Sequence, residues 1–161
     1  MTGWNWVRIA AVLGFLAVGI GAFGAHGLKN RLEALGTTAP FQTGSQYHMY
    51  HALALLALGA VHGPHRANLA GTIAGWSFLL GIVLFSGSLY LLAVTGTKWL
   101  GAITPFGGIL MMVGWVALAA CVSMHPRSVE GGGFSPGASQ VTPHGTSDNP
   151  ASRERKVNSA S

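Results

Sequence analysis

The sequence predicts an all-α membrane protein: a bundle of four transmembrane helices followed by a disordered C-terminal tail. Only 8% of its 161 residues are charged and 50% are hydrophobic, whereas a soluble domain carries about 25% charged residues. Long uncharged apolar runs alternate with short segments that hold Gly, Pro or a few charges. This alternation is typical of spans and loops in a bilayer.

The first predicted span covers about residues 7–25. A cleaved signal peptide is the alternative interpretation, because Arg8 precedes an apolar centre that ends in small residues. We favour a retained helix, since small side chains recur every three or four residues and would form a packing face that a cleaved peptide does not need. The residues of this face are Ala10, Gly14, Ala17 and Gly21.

The loop after the first span has apolar residues at helical spacing. This spacing predicts a short interfacial helix, which Gly36 and Pro40 should end. The charged residues of this helix are interpreted as a solvated face. They are Lys29, Arg31 and Glu33.

The other three predicted spans cover about residues 44–62, 69–95 and 99–124. The third contains the pair Gly71 and Gly75, whose spacing allows another helix to approach closely. The fourth contains Pro105, which lacks a backbone N–H and should kink or interrupt the helix. The aromatic residues interpreted as interfacial anchors are Trp4, Trp6, Trp99 and Tyr50.

Residues 126–161 are rich in Gly, Ser, Pro and polar side chains. Such a segment cannot bury enough apolar surface to order itself, so we expect a disordered polar tail after a transmembrane domain of residues 1–125. Cys121 is the only cysteine. The chain therefore has neither an internal disulfide nor a cysteine-based metal site.

Location and partners follow from the distribution of charge. A four-span protein has both termini on one side of the membrane, and the basic residues of the distal tail favour cytoplasmic termini in the cell (inner or plasma) membrane. The other basic residues are scattered and form no basic groove, which argues against nucleic acid as a partner. The expected partners are the lipid bilayer and, through small-residue helix faces, a second copy or another membrane protein.

Polar side chains are concentrated at one end of the predicted bundle. Four antiparallel spans bring the ends of the first and third to the same membrane face as the starts of the second and fourth. On a helical wheel His48 and His51 lie about 60° apart, so both can face this polar cluster. The candidate ligand-binding or cluster residues are His26, Tyr47, His48, His51, Ser86, Ser88, Tyr90, Thr104 and Pro105.

Several motifs resemble the YgdD-like or transmembrane protein 256 family, also called domain of unknown function 423. They are GAFGAHGL at residues 21–28, TGSQYHMYHALAL at 43–55, LFSGSLY at 84–90, TPFGG at 104–108 and the pair Gly114-Trp115. The resemblance covers about residues 5–124 and implies a small multi-pass membrane protein with no established activity. The motif positions it implies are Gly24, His26, Tyr47, His51, Ser86, Gly87, Ser88, Tyr90, Pro105 and Gly108. This chain departs from the pattern at His48, where the family has Gln, so the resemblance does not require a histidine there.

The residues favour a protein that is not an enzyme. Of its four acids only Glu33 lies outside the tail region, which leaves no carboxylate pair for general acid–base catalysis in the bundle. The chain also has no phosphate loop and no dinucleotide fingerprint, and we expect no cofactor. Our first hypothesis is that the polar cluster orders the bundle or binds a small ligand or a partner.

Two alternatives remain open at this stage. One is a conduit for protons or small solutes, with His26 and His51 as its ionisable groups and the break at Pro105 as its gate. The other is a haem or metal redox carrier, for which His26, His48 and His51 are weak candidate ligands. No Asp, Glu or Cys supports those histidines, so we assign no metal site.

Overall fold

A computed structural model describes residues 3–62 and 69–123, which belong to one compact unit. Every regular element within these ranges is helical. The elements are α1 (Gly3–His26), α2 (Lys29–Leu35), α3 (Thr38–His62), α4 (Leu69–Gly81), a π-helical segment (Ile82–Ser86), α5 (Gly87–Thr95), a 3-10 segment (Lys98–Ala102) and α6 (Thr104–Ser123). The predicted disordered tail lies outside the described residues.

Three helical stretches in the described ranges are long and apolar enough to cross a membrane. They are Asn5–His26, Leu69–Thr95 and Lys98–Val122. These three stretches and the absence of strands from the described residues confirm the all-α membrane class. Helix α3 is 25 residues long, but its first half is too polar to meet the same criterion. A fourth span therefore stays a prediction.

Helix α3 packs against α1, α4, the π-helical segment and α5. Helix α6 packs mainly against α4 and the π-helical segment. The main apolar core is built on the second half of α3, where Leu55 and Leu58 are wholly buried with Trp6 and Phe78. Trp6 is thus a core residue rather than an interfacial anchor, because Gly75 of α4 leaves space for its indole ring.

Part of the packing face predicted for α1 is used inside the chain, although a Cβ added at Gly14 would meet nothing within 4 Å. Ala10 and Ala17 are buried. A Cβ added at Gly21 would lie 3.2 Å from the hydroxyl of Ser45 on α3, so the two helices approach closely there. Retention of this helix stays a prediction.

The junction between α2 and α3 differs from the prediction in the role of Pro40. Gly36 ends α2 with a left-handed backbone (φ 63°), and the N–H of Thr37 bonds the carbonyl of Leu32 at 2.9 Å. Helix α3 starts directly afterwards, at Thr38 rather than near residue 44. Pro40 lies in its first turn, where a helix has no use for the missing N–H.

The short helix α2 is anchored on the end of α5. The Nε of Arg31 donates to the carbonyl of Val94 at 2.8 Å, and the hydroxyl of Thr37 donates to the carbonyl of Ala93 at 2.8 Å. The last carbonyls of a helix lack partners within that helix, and a cation there also complements the helix dipole. Gly96 ends α5 with φ 74°. These bonds fix α2 beside the start of α3.

The third and fourth predicted spans are both interrupted. Pro105 is the second residue of α6, and the 3-10 segment precedes it, so the chain breaks where this proline predicts. The π-helical segment within the third span has no counterpart in the prediction. Gly107 of α6 lies against it, and a Cβ there would come within 2.8 Å of the Cα of Phe85. Turns of this kind often lie at functional sites.

Candidate functional site

His51 lies near the middle of α3 and is hydrogen-bonded through both ring nitrogens. Its Nδ1–H donates to the carbonyl of Tyr47 at 2.8 Å. A carbonyl can only accept, so Nε2 is the acceptor in this neutral ring. The indole N–H of Trp115 on α6 donates to that Nε2 at 3.2 Å. His51 therefore joins α3 to α6 in a single tautomer.

Aromatic rings enclose His51. The centroid of its ring lies 5.8 Å from Tyr47, 5.7 Å from Phe78 and 6.1 Å from Trp115. Phe78 and Trp115 also meet edge to face at 5.4 Å. His51 is only 5% exposed. We call His51, Tyr47, Phe78 and Trp115 the closed layer, because the ring nitrogens of His51 and Trp115 all have hydrogen-bond partners.

His48 lies one turn nearer the start of α3 and has a different environment. Its Nδ1 is 3.3 Å from the hydroxyl of Tyr90 on α5. Tyr90 also forms a hydrogen bond with Ser45. The Nε2 of His48 is buried and has no hydrogen-bond partner among the described residues. A chain of bonds thus leads from Ser45 through Tyr90 to a ring nitrogen without a partner.

Ser86 is the last residue of the π-helical segment, which packs against α3. It is wholly buried, and its hydroxyl has no partner among the described residues. A Cβ added at Gly44 would lie 3.4 Å from the carbonyl of Ser86, so α3 and the π-helical segment are in close contact one turn before His48. We call His48, Tyr90 and Ser86 the open layer.

Ser88, Thr104 and Pro105 lie at the junction of α5 with α6. The hydroxyl of Ser88 is 3.0 Å from that of Thr104, and it also lies 2.9 Å from the carbonyl of Phe85, which it can donate to. The pair links the two helices directly before Pro105. Most predicted cluster residues therefore contact another member or a neighbouring ring, and Tyr47 stacks on Phe85 with a centroid distance of 4.7 Å.

His26 has no described contact with the other predicted cluster residues. It is the last residue of α1 and its side chain is exposed. The described ranges contain no group of three or more His, Cys, Asp or Glu residues that could hold a metal ion. His26, His48 and His51 consequently do not form the ligand set considered from the sequence. Among the described residues, the side chain of His26 has no hydrogen-bond partner that would hold it toward the bundle.

A pocket that the sequence analysis missed lies between α1, α2 and α3. Its volume is about 590 Å³, which is within the usual range for small-molecule sites. The charged residues of α2 are exposed, as predicted for a solvated face. The sequence pattern that could have indicated the pocket is Gln42 and Gln46, one turn apart on α3. The lining residues are Gly21, Gly24, Ala25, Lys29, Leu32, Glu33, Thr38, Phe41, Gln42, Ser45 and Gln46.

Comparison with known proteins relates this chain to a protein family. A family model described as a protein of unknown function, DUF423, matches residues 20–108, more than half of the chain. The chain belongs to the DUF423 family. This confirms the resemblance derived from its motifs. The match to DUF423 includes both histidine layers except Trp115, and every residue that lines the pocket.

The relatives of this DUF423 chain are named as membrane proteins. It is 46% identical over 112 residues to UPF0382 membrane protein SSP2132 of Staphylococcus saprophyticus, covering 70% of this chain and 91% of that protein. It is 45% identical to UPF0382 membrane protein YwdK of Bacillus subtilis, with coverage of 70% and 90%. A UPF0382 membrane protein of Haemophilus influenzae is 41% identical, with coverage of 71% and 90%. No solved structure matches the chain.

Proposed function

We propose that this membrane protein is not an enzyme and that the polar side chains of α3 order a bundle of four spans. The observation that carries the proposal is the bond between His51 and Trp115. It joins two helices near the middle of α3 and leaves neither ring nitrogen of the histidine open to a substrate or a metal. Polar residues in membrane interiors commonly hold helices together in this way.

Helix α3 serves as the fourth span in this proposal. At about 1.5 Å per residue its 25 residues extend over about 37 Å, enough to cross a hydrocarbon core of about 30 Å. His48 and His51 are buried against neighbouring helices rather than facing acyl chains, as a polar span requires. With four spans both termini lie on one side, and we propose the cytoplasmic side of the cell membrane.

A double-mutant cycle tests the scaffold role. His51→Phe, Trp115→Phe and the double variant are unfolded in mixed micelles, and their coupling energy is measured. We expect a coupling of about 0.6 to 2 kcal/mol in favour of the native pair. The matched control pairs His51→Phe with Trp99→Phe, because Trp99 is 66% exposed. A coupling for Trp115 no larger than that for Trp99 would refute the proposal.

A conduit for protons is the second candidate function, and one observation favours it. The bonds from Ser45 through Tyr90 to His48 lead from the pocket to a buried ring nitrogen. The path differs from the one expected from the sequence, because His26 is exposed and His51 is held by two partners. Proteoliposomes should then show a proton flux that Tyr90→Phe abolishes. A flux that Tyr90→Phe leaves unchanged would exclude this path.

A further inference from the structure

The geometry points to a second role for the chain: the pocket between α1, α2 and α3 binds a zwitterionic head group that carries a primary ammonium and a phosphate. This binding site is independent of the proposed scaffold role. It involves none of the residues of the closed layer. Its chemistry is set by two charges from α2 and a polar wall from α3.

The two charges of the pocket have opposite sign and share one helix face. Lys29 and Glu33 are four residues apart on α2, so their side chains are neighbours on the same face of that helix. Glu33 is the only acidic residue in the described ranges. Its position in a pocket gives the site an acceptor for an ammonium group. Lys29 supplies the matching charge for a phosphate.

The second wall of the pocket consists of amides and hydroxyls on α3. Gln42 and Gln46 lie one turn apart and are both exposed. Gln46 is about 12 Å along α3 from Thr38 at the usual rise, which places its amide within the span proposed for α3. Each amide has two donors and one acceptor, and leaving these unpaired beside acyl chains is costly. The wall therefore favours a polar occupant with several hydrogen-bonding atoms.

The floor of the pocket is apolar. Leu32 and Phe41 are buried there, and the ring of Phe41 fills the space where a side chain at Gly24 would project. A polar rim above an apolar floor suits a molecule with a charged head and an uncharged stem. The volume of about 590 Å³ accommodates a head group together with its glycerol. The same head-group chemistry occurs in a phospholipid and in free phosphoethanolamine.

The pocket also reaches the open layer. Ser45 lines the pocket and bonds Tyr90, which in turn bonds His48. A ligand that engages Ser45 competes for its hydroxyl and alters the bond to Tyr90. Occupancy should therefore shift the ring resonances of His48, while those of His51 stay unchanged because Trp115 and Tyr47 hold it.

Native mass spectrometry of the full chain, released from detergent with added lipid, tests the proposal. The probes are dioleoyl phosphatidylethanolamine, the phosphatidylcholine with the same chains, and the phosphatidylglycerol. We expect phosphatidylethanolamine to bind about tenfold more tightly than the other two, since only it can place N–H donors on Glu33. Glu33→Gln should abolish its preference over phosphatidylglycerol. Lys29→Gln should weaken the binding of both phosphatidylethanolamine and phosphatidylglycerol.

Lys98→Gln is the matched control, because Lys98 lies on the 3-10 segment and not in the pocket. Its lipid preference should equal that of the wild type. Equal binding of the three lipids to the wild type, or an undiminished preference in Glu33→Gln, overturns the proposal. A normal unfolding transition for each variant excludes misfolding as the cause. Because His51 and Trp115 are unchanged, this outcome is separate from that of the double-mutant cycle.

A competition experiment identifies the source of the head group. Phosphoethanolamine is added to the complex with phosphatidylethanolamine at increasing concentration. Displacement at millimolar concentration or below, lost in Glu33→Gln, supports a free zwitterion as ligand. If phosphatidylethanolamine stays bound at every concentration of phosphoethanolamine, the result supports a membrane lipid as the ligand. If binding in either arm proves insensitive to both Lys29→Gln and Glu33→Gln, the pocket is not the site.

Discussion

The closed layer around His51 and the open layer around His48 lie one turn apart on the same helix. Both histidines are buried, at 5% and 4% exposure. His51 has a partner for each ring nitrogen, whereas the Nε2 of His48 and the hydroxyl of Ser86 have none among the described residues. Burial by itself therefore says little about the role of a membrane histidine. The partners on neighbouring helices distinguish a packing residue from one that is available for chemistry.

The largest expected effect is the loss of the histidine in the closed layer. His51→Leu keeps a similar volume but leaves the indole N–H of Trp115 without its acceptor. A side-chain hydrogen bond between membrane helices contributes about 1 to 2 kcal/mol, so the free energy of unfolding in mixed micelles should fall by that amount. Tyr50→Leu, at a residue that is 57% exposed, is the control. If His51→Leu lowers the free energy of unfolding no more than Tyr50→Leu does, the bond between His51 and Trp115 contributes nothing to stability.

The second effect contrasts two serines two residues apart. Ser88→Ala removes the hydroxyl that bonds Thr104 and should lower the free energy of unfolding by about 0.6 to 1 kcal/mol. Ser86→Ala removes a buried hydroxyl without a partner and should raise it by a similar amount. The measurement is the same micellar unfolding curve. Equal signs for the two variants would contradict the distinction between a hydroxyl with a hydrogen-bond partner and one without.

The smallest effect is expected at the histidine of the open layer. His48→Leu removes a ring nitrogen that has no partner, while Tyr90 keeps its bond to Ser45. The free energy of unfolding should stay the same or rise by up to about 1 kcal/mol. This is opposite in sign to the effect of His51→Leu. A loss as large as that of His51→Leu would show that the bond between His48 and Tyr90 stabilises the fold as much as the bond of His51 does, and it would contradict the distinction between the two layers.

Local signals in the sequence predicted much of the fold. The scarcity of charge identified the membrane class, Gly36 marked the end of α2, and Pro105 marked the break before α6. Each of these signals acts over a few residues, through solvation or backbone geometry. The spacing of Tyr47, His48 and His51 is a local signal of the same kind, because it puts them on one side of α3 whatever their partners are.

The candidate site depended on contacts that no local signal carries. Trp115 is 64 residues from His51, and nothing in its surroundings along the chain marks it as the donor to a histidine. The exposed position of His26, the burial of Trp6 and the pocket beside Lys29 and Glu33 were missed for the same reason. All of them depend on how close two distant segments come.

The sequence by itself thus determined that the chain is helical, enters lipid and carries polar residues on α3. The tertiary structure decided which of those residues are satisfied, where the π-helical turn lies and which side chains enclose the pocket. The physical reason is the range of the forces. Hydrophobicity and backbone preference are properties of a segment, whereas a hydrogen bond forms only when two atoms lie within about 3.5 Å, and that distance is set by the packing of the whole bundle.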